Sequence, residues 1–226
     1  KHLVIISAGF KEVGAEGAER EQRIKAIAQE RGLSIIGPNC LGVINTADEV
    51  RMNASFGRDM PREGRIGLIS QSGALCTALL DYAKGHGLGF SRFISFGNKC
   101  DVTEVDLLRS LATDRNTDII MMYVEDISDG QAFVNAAFEI THGEHPKPIL
   151  AMKTGRTAQG AAAAASHTGS LAGSDEVYDA IMLQAGVIRV NRVEDLFNYA
   201  PVFLDNRMPV GNHTAIVTNA GGPGIM

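Results

Sequence analysis

Short apolar runs rich in β-branched residues alternate with longer stretches of helical periodicity along most of this chain. The central section shows the alternation best. Strands are predicted over 66–70, 90–96, 118–124, 148–153 and 187–190, and helices over 74–84, 102–112, 130–141, 174–185 and 193–204. The run Ile119-Ile120-Met121-Met122-Tyr123-Val124 lacks any polar alternation, as a strand covered on both faces must. Five such strand–helix pairs predict a flavodoxin-like three-layer αβα domain with a parallel sheet.

The flanking sections are less complete. A strand over 3–7 closed by Gly9, a helix over 16–31 and a strand over 34–36 read as the back half of a Rossmann-like, doubly wound domain. Ala18, Ile24, Ile27 and Ala28 are expected on the buried side of that helix, with Gly32 ending it. The polar stretch 51–65, with Met60-Pro61-Arg62-Glu63-Gly64, is the expected boundary, which gives domains at 1–61 and 62–211. Residues 215–219 read as a strand feeding the glycine loop Ala220-Gly221-Gly222-Pro223-Gly224, so 212–226 is expected to open a further α/β domain. The chain starts at Lys1 without an initiator methionine and stops at Met226 inside that unit. We therefore expect a piece of a longer polypeptide.

Composition narrows the functional classes. At 226 residues, with 45% hydrophobic and 21% charged residues, the chain is an ordinary globular one. A net charge of −5 gives no basis for nucleic acid or an anionic membrane as a partner, and no apolar run reaches spanning length. Cys40, Cys76 and Cys100 are scattered and form no C-x-x-C pair. They predict reduced thiols in the cytoplasm and argue against a disulfide framework or a structural zinc site. His142 and His145 flank a loop without carboxylate-rich neighbours, so no metal site is expected.

Ligands of open parallel sheets bind beyond the carboxyl ends of the strands, and the loops there carry the candidate chemistry. Ser166-His167-Thr168-Gly169-Ser170-Leu171-Ala172-Gly173 exposes an imidazole among short side chains, where it can act as a nucleophile at neutral pH. The alternative is a surface turn. Ser70-Gln71-Ser72-Gly73 precedes a helix whose first N–H groups suit an anion, or Ser72 is simply an N-cap. Gly97-Asn98-Lys99 leaves room for a ligand or makes a tight turn. Glu125-Asp126 puts carboxylates at the mouth of a buried strand, where an imidazole N–H is a suitable partner. A solvated loop acid is the other reading. Lys153-Thr154-Gly155-Arg156-Thr157 offers cations and hydroxyls, or a solvated basic turn. A nucleophile, an orienting acid and donors for phosphoryl oxygens are together what phosphoryl transfer through phosphohistidine requires.

In this order, Gly37-Pro38-Asn39-Cys40, Ser70-Gln71-Ser72-Gly73, Glu125 and Ser166-His167-Thr168-Gly169 resemble the NDP-forming acyl-CoA synthetases. The Ser-His-Thr-Gly-Ser-Leu-Ala-Gly motif is most similar to the ADP-forming acetyl-CoA synthetase branch. The resemblance implies that His167 is phosphorylated during turnover, that Glu125 hydrogen-bonds its ring, and that Ser70, Gln71, Ser72, Gly73 and Gly169 hold phosphate. It implies that CoA or acyl-CoA lies against Ile6, Ser7 and Ala8, with Pro38, Asn39 and Cys40 nearby; the room left at Gly97 and Asn98 makes these two the candidate acyl-substrate contacts. The resemblance further implies Mg-ADP or Mg-ATP bound by an ATP-grasp domain or β subunit outside this sequence, within an oligomer. The succinyl-CoA branch usually has an acid where Ala8 stands and an arginine where Gln71 stands, so the roles of that acid and that arginine do not carry over. Two other functions compete: the acyl-CoA-sensing region of a protein lysine acetyltransferase, and a flavin-binding flavodoxin-like domain. Retention of His167 with Glu125 favours the synthetase.

Overall fold

The computed structural model describes residues 1–157, 159–160, 174–205, 211, 213–219 and 221–222. In the first section β1 (His2–Val4) and β2 (Ser34–Ile36) pair in parallel, with Leu3 opposite Ile35. They are joined through α1 (Ala15–Arg31), which ends at Gly32 in the left-handed region (φ 60°). The buried side of α1 is Gly17, Glu21 and Ala28, while Ile27 is exposed. Of the expected stripe, Ala28 is buried with Ile24 packed beside it and Ala18 is half-buried, while Ile27 falls outside it. Phe10 approaches the helix so closely that its carbonyl oxygen would lie 1.8 Å from a Cβ at Gly17.

A second sheet has seven strands in the order β4 (Met52–Ser55), β3 (Gly42–Asn45), β6 (Phe90–Ser95), β5 (Glu63–Ser70), β7 (Ile119–Val124), β8 (Ile149–Lys153), β9 (Ile188–Val190). The five strands from β6 to β9 run parallel in the predicted flavodoxin-like arrangement. β3 runs antiparallel to both β6 and β4, so the sheet is mixed and the expectation of a wholly parallel sheet is corrected there. The hairpin from Gly42 to Ser55 precedes residue 62 yet extends the sheet of the central section. Met52-Asn53-Ala54-Ser55 carries little apolar signal because it is an edge strand with exposed side chains.

Helices cover both faces. α2 (Gly73–Gly85) and α6 (Val193–Asp205) pack over Leu68, Phe90, Phe93, Met121 and Leu150. α3 (Glu104–Thr113), α4 (Gly130–His142) and α5 (Asp175–Gln184) pack over Ile69, Phe96, Ile120, Met122 and Ile149. Successive β7 residues enter opposite clusters, which explains its unbroken apolar run. Residues 215–219 form no strand. Ile216 and Val217 are exposed there, and no described strand pairs with the segment. Among the described residues no helix is long and apolar enough to cross a membrane, and no His/Cys/Asp/Glu group suits a metal ion.

Candidate functional site

Sheet register brings the candidate loops together. Ser70 lies opposite Ser95 on one side and Tyr123 on the other, and Val124 lies opposite Lys153. The strands β6, β5, β7 and β8 therefore end level, and Gly97-Asn98-Lys99, Gln71-Ser72-Gly73, Glu125-Asp126 and Thr154-Gly155 leave one edge side by side. His167 and Gly169, with the rest of the stretch 161–173, lie outside the described residues.

The turn before α2 is built from below. Ser70 is fully buried; its Oγ accepts from Ser72 N–H (3.2 Å) and donates to Ser72 O (3.1 Å). Ser72 caps the helix by accepting from Leu75 N–H (3.2 Å). Its cap role and an anion role coexist, because helix geometry still directs the first-turn N–H groups at the loop edge. Gly73 packs on the first section: a Cβ there would sit 3.3 Å from Leu41 N.

Gln71 turns its amide to the neighbouring acidic loop. Its Oε1 accepts from the N–H groups of Glu125 (2.6 Å) and Asp126 (3.1 Å), and its Nε2 donates to Asp126 Oδ1 (2.6 Å). The Asp126 carboxylate also pairs with Lys99 Nζ at 3.2 Å. Burial alone raises the Asp126 pKa, but the Lys99 charge and the Gln71 and Lys99 hydrogen bonds outweigh it and hold the group below the usual carboxylate range. Lys99 Nζ donates as well to Glu104 Oε2 (3.0 Å), and Glu104 Oε1 accepts from Ser128 N–H (2.7 Å). Glu125 itself is half-buried and engaged, and its charge helps burial to raise the Tyr123 phenol.

Neighbouring Asn98 faces the opposite way. Its Nδ2 donates to Glu12 Oε2 (2.6 Å) and Glu21 Oε2 (2.8 Å), while its Oδ1 accepts from Asn39 Nδ2 (3.3 Å). This is why a glutamate occupies the buried side of α1. Burial works to raise the Glu12 pKa, yet Asn98 and the N–H groups of Gly9 and Phe10 lower it overall. Gly97 (φ 52°) lies against Pro38 O and Asn39 O, each 2.3 Å from where a Cβ would stand. Only glycine fits both the conformation and the space.

The loop after β1 leaves Ile6, Ser7 and Ala8 exposed, and Ser7 O accepts from Asn39 N–H at 3.0 Å. Pro38 is buried and Asn39 half-buried, and the buried Cys40 thiol donates to Ile5 O at 3.4 Å. Burial pushes the thiols of Cys40 and Cys76 up to about 11 and that of Cys100 to about 12, so none is a thiolate nucleophile at neutral pH.

Two arrangements are visible only in the structure. Lys153 belongs to no solvated turn: it is 2% exposed, its ammonium donates to Thr154 O, and the Tyr178 ring centroid is 4.3 Å away. Burial and the Arg189 charge lower its pKa, against the opposing charges of Asp126, Asp175 and Glu125. The Lys99–Asp126–Glu104 cluster was the other. The spacing of Lys99 and Glu104 across a turn, next to an acid at a strand mouth, was its only signal.

Residues 63–203 match the family model described as succinyl-CoA ligase like flavodoxin domain. Over all 226 residues the chain is 48% identical to a 4-hydroxybutyrate--CoA ligase [ADP-forming] from Nitrosopumilus maritimus, covering 32% of that protein. It is 42% identical, over its whole length, to the acetate--CoA ligase [ADP-forming] II subunit alpha of Pyrococcus furiosus, covering 48% of that subunit. Among solved structures, the dinucleotide forming acetyl-coenzyme A synthetase 1 of Ca. Korarchaeum cryptofilum, in complex with phosphate and ADP, superposes with a TM-score of 0.91 at 40% identity. That match covers the whole of this chain and 47% of the other. The chain thus spans a third to a half of the relatives it matches. With its flavodoxin-like domain and the level loops at its edge, the chain belongs to the NDP-forming acyl-CoA synthetase family and is similar to the N-terminal region of its ADP-forming members.

Proposed function

We propose that this chain is the CoA-binding and phosphohistidine portion of an ADP-forming acyl-CoA synthetase acting on acetyl-CoA or a related short-chain acyl-CoA. The observation that carries the reading is the 48% identity over 226 residues to a ligase of that type. The net reaction converts acyl-CoA, ADP and phosphate into carboxylic acid, ATP and CoA.

Three transfers make up that balance. Inorganic phosphate attacks the thioester carbonyl, the C–S bond breaks, and CoA leaves with a proton. An imidazole nitrogen of His167 then attacks the phosphorus of the acyl phosphate, whose bond to the acyl oxygen breaks, releasing the carboxylate. The phosphoryl group passes from nitrogen to ADP as the P–N bond breaks. Glu125 accepts the other ring N–H and so sets the tautomer that leaves one nitrogen open for attack. The start of α2 at Ser72 and Gly73, with Gly169, stabilises the phosphoryl oxygens, and Ser70 shapes that turn from beneath.

CoA lies along Ile6, Ser7 and Ala8 on one side and Pro38, Asn39 and Cys40 on the other. Gly97 and Asn98 border the acyl group through their backbone, since the Asn98 side chain is spent on Glu12 and Glu21. Mg-ADP binds in an ATP-grasp domain or second subunit; relatives that are α subunits support that arrangement. Three buried, unpaired thiols suit the reducing cytoplasm.

Incubating the full-length gene product with Mg-ATP, or with acetyl-CoA and phosphate, is expected to give an acid-labile, base-stable phosphoryl adduct. His167→Ala should abolish it. Equal labelling of the two proteins overturns the assignment. A full-length product that ends in an acetyltransferase domain and takes no label points to acyl-CoA sensing instead.

A further inference from the structure

Gln71 is where the loop after β5 and the acidic loop after β7 are physically joined. It is 8% exposed, and its amide spends three hydrogen bonds on two consecutive residues: Oε1 takes both N–H groups of Glu125 and Asp126, and Nε2 reaches the Asp126 carboxylate. Its own N–H donates to Tyr123 O at 3.0 Å, so the backbone is tied on both sides of Val124.

The far side of the acidic loop is held as firmly. Lys99 Nζ donates to the Asp126 carbonyl (2.9 Å) and bridges Asp126 to Glu104, which in turn takes Ser128 N–H. Lys99 holds this position with a left-handed backbone (φ 50°), a conformation that costs a lysine energy and persists only when its surroundings over-determine it. Burying an ion pair adds little net stability compared with apolar packing, so the network is better understood as fixing geometry. What it fixes is the backbone that carries Glu125.

We propose that Gln71 is a positioning residue for Glu125, acting as a double acceptor that sets the direction in which the carboxylate leaves the end of β7, with Asp126 and Lys99 holding the amide in turn. Gln71 then touches no substrate. Its effect on chemistry passes through Glu125 alone. The inference rests on the role given to Glu125 under the proposed function.

The test is single-turnover labelling of the full-length protein by Mg-ATP, comparing wild type, Gln71→Met, Glu125→Gln and the double variant. Gln71→Met keeps the length of the side chain and loses both polar atoms. It is expected to slow labelling about tenfold to a hundredfold, the scale of a roughly ångström-sized misplacement. Glu125→Gln should be slower still. The double variant should match Glu125→Gln within about twofold, because groups acting through one another are not additive.

Gln71→Glu separates positioning from packing. It keeps an acceptor for the two N–H groups but sets a charge beside Asp126, so it should label faster than Gln71→Met while melting at a lower temperature. Should Gln71→Met fail to fold, Gln71→Glu and its double with Glu125→Gln make the same comparison. Multiplied losses in the double variant overturn the proposal, as does a Gln71→Met protein that labels like wild type beside a crippled Glu125→Gln; both leave Glu125 in its role. A Glu125→Gln protein that labels at the wild-type rate removes the role of Glu125 and this proposal with it.

Discussion

Asn98 and Lys99 are adjacent in one turn, each set between two carboxylates, and they do opposite jobs. Lys99 puts a full positive charge between Glu104 and Asp126, inside the central domain and beside Glu125. Asn98 puts a neutral amide between Glu12 and Glu21, where the first section meets the end of β6. In the charged knot Lys99 balances one of the two carboxylate charges, and neutral donors, Gln71 Nε2 and Ser128 N–H, complete the set. The neutral one leaves two carboxylates close together, relieved by Lys11, whose Nζ lies 3.9 Å from Glu21 and donates to Asn98 O at 2.7 Å. A turn whose neighbouring side chains point apart can thus tie one loop through a buried charge and join a second section through a neutral amide.

The sharpest way to break the comparison is Lys99→Met. It strands Glu104, which is 0% exposed, and Asp126 without their cation. Removing one partner of a buried pair typically costs about 3–5 kcal/mol, and denaturant unfolding should show a loss of that size. A loss under about 1 kcal/mol would mean that the knot does not hold the domain.

Asn98→Ala should cost less, about 2 kcal/mol, because it removes a neutral donor to two charged acceptors. Its signature is location. Hydrogen exchange should quicken across β1, α1 and β2 while the parallel strands β5, β7 and β8 stay protected. Uniform loss of protection would show that the two regions unfold as one.

Acid should loosen both knots. Asp126 and Glu12 have folded pKa values below their unfolded ones, so their stabilisation is complete above the unfolded values of about 4 and is lost as pH falls through the lower folded values. Asp126→Asn should flatten the part of the acid limb that belongs to the charged knot, and an unchanged limb would count against that account.

Ser72→Ala should give the smallest effect, about 1 kcal/mol for a lost N-cap, measurable as a shift of the denaturation midpoint. A neutral result would mean that the Leu75 N–H finds another acceptor.

How much of this was legible beforehand differs between the same regions. The five strand–helix pairs of the central domain were readable because strands covered on both faces carry continuous apolar runs, as β7 does. The β3–β4 hairpin was not, since Met52–Ser55 is a polar edge strand that exists only by pairing with Val43 and Ile44. Ser70, Ser72, Gly73 and Glu125 were grouped as candidates from their places after predicted strands, and the register brings those strand ends level. That Gln71 and Asn98 turn their amides toward protein groups was invisible, because a glutamine bound for a backbone and one bound for a ligand look alike in one dimension.

The five strand–helix pairs of the central section and the loops that face the carboxyl edge were set by local sequence, through hydrophobic period. Which carboxylate meets which cation, and that Lys153 and Glu21 are buried at all, was decided only when distant segments packed and water was excluded between them. Charge pairing in a low-dielectric interior depends on distances of a few ångströms that no local pattern encodes.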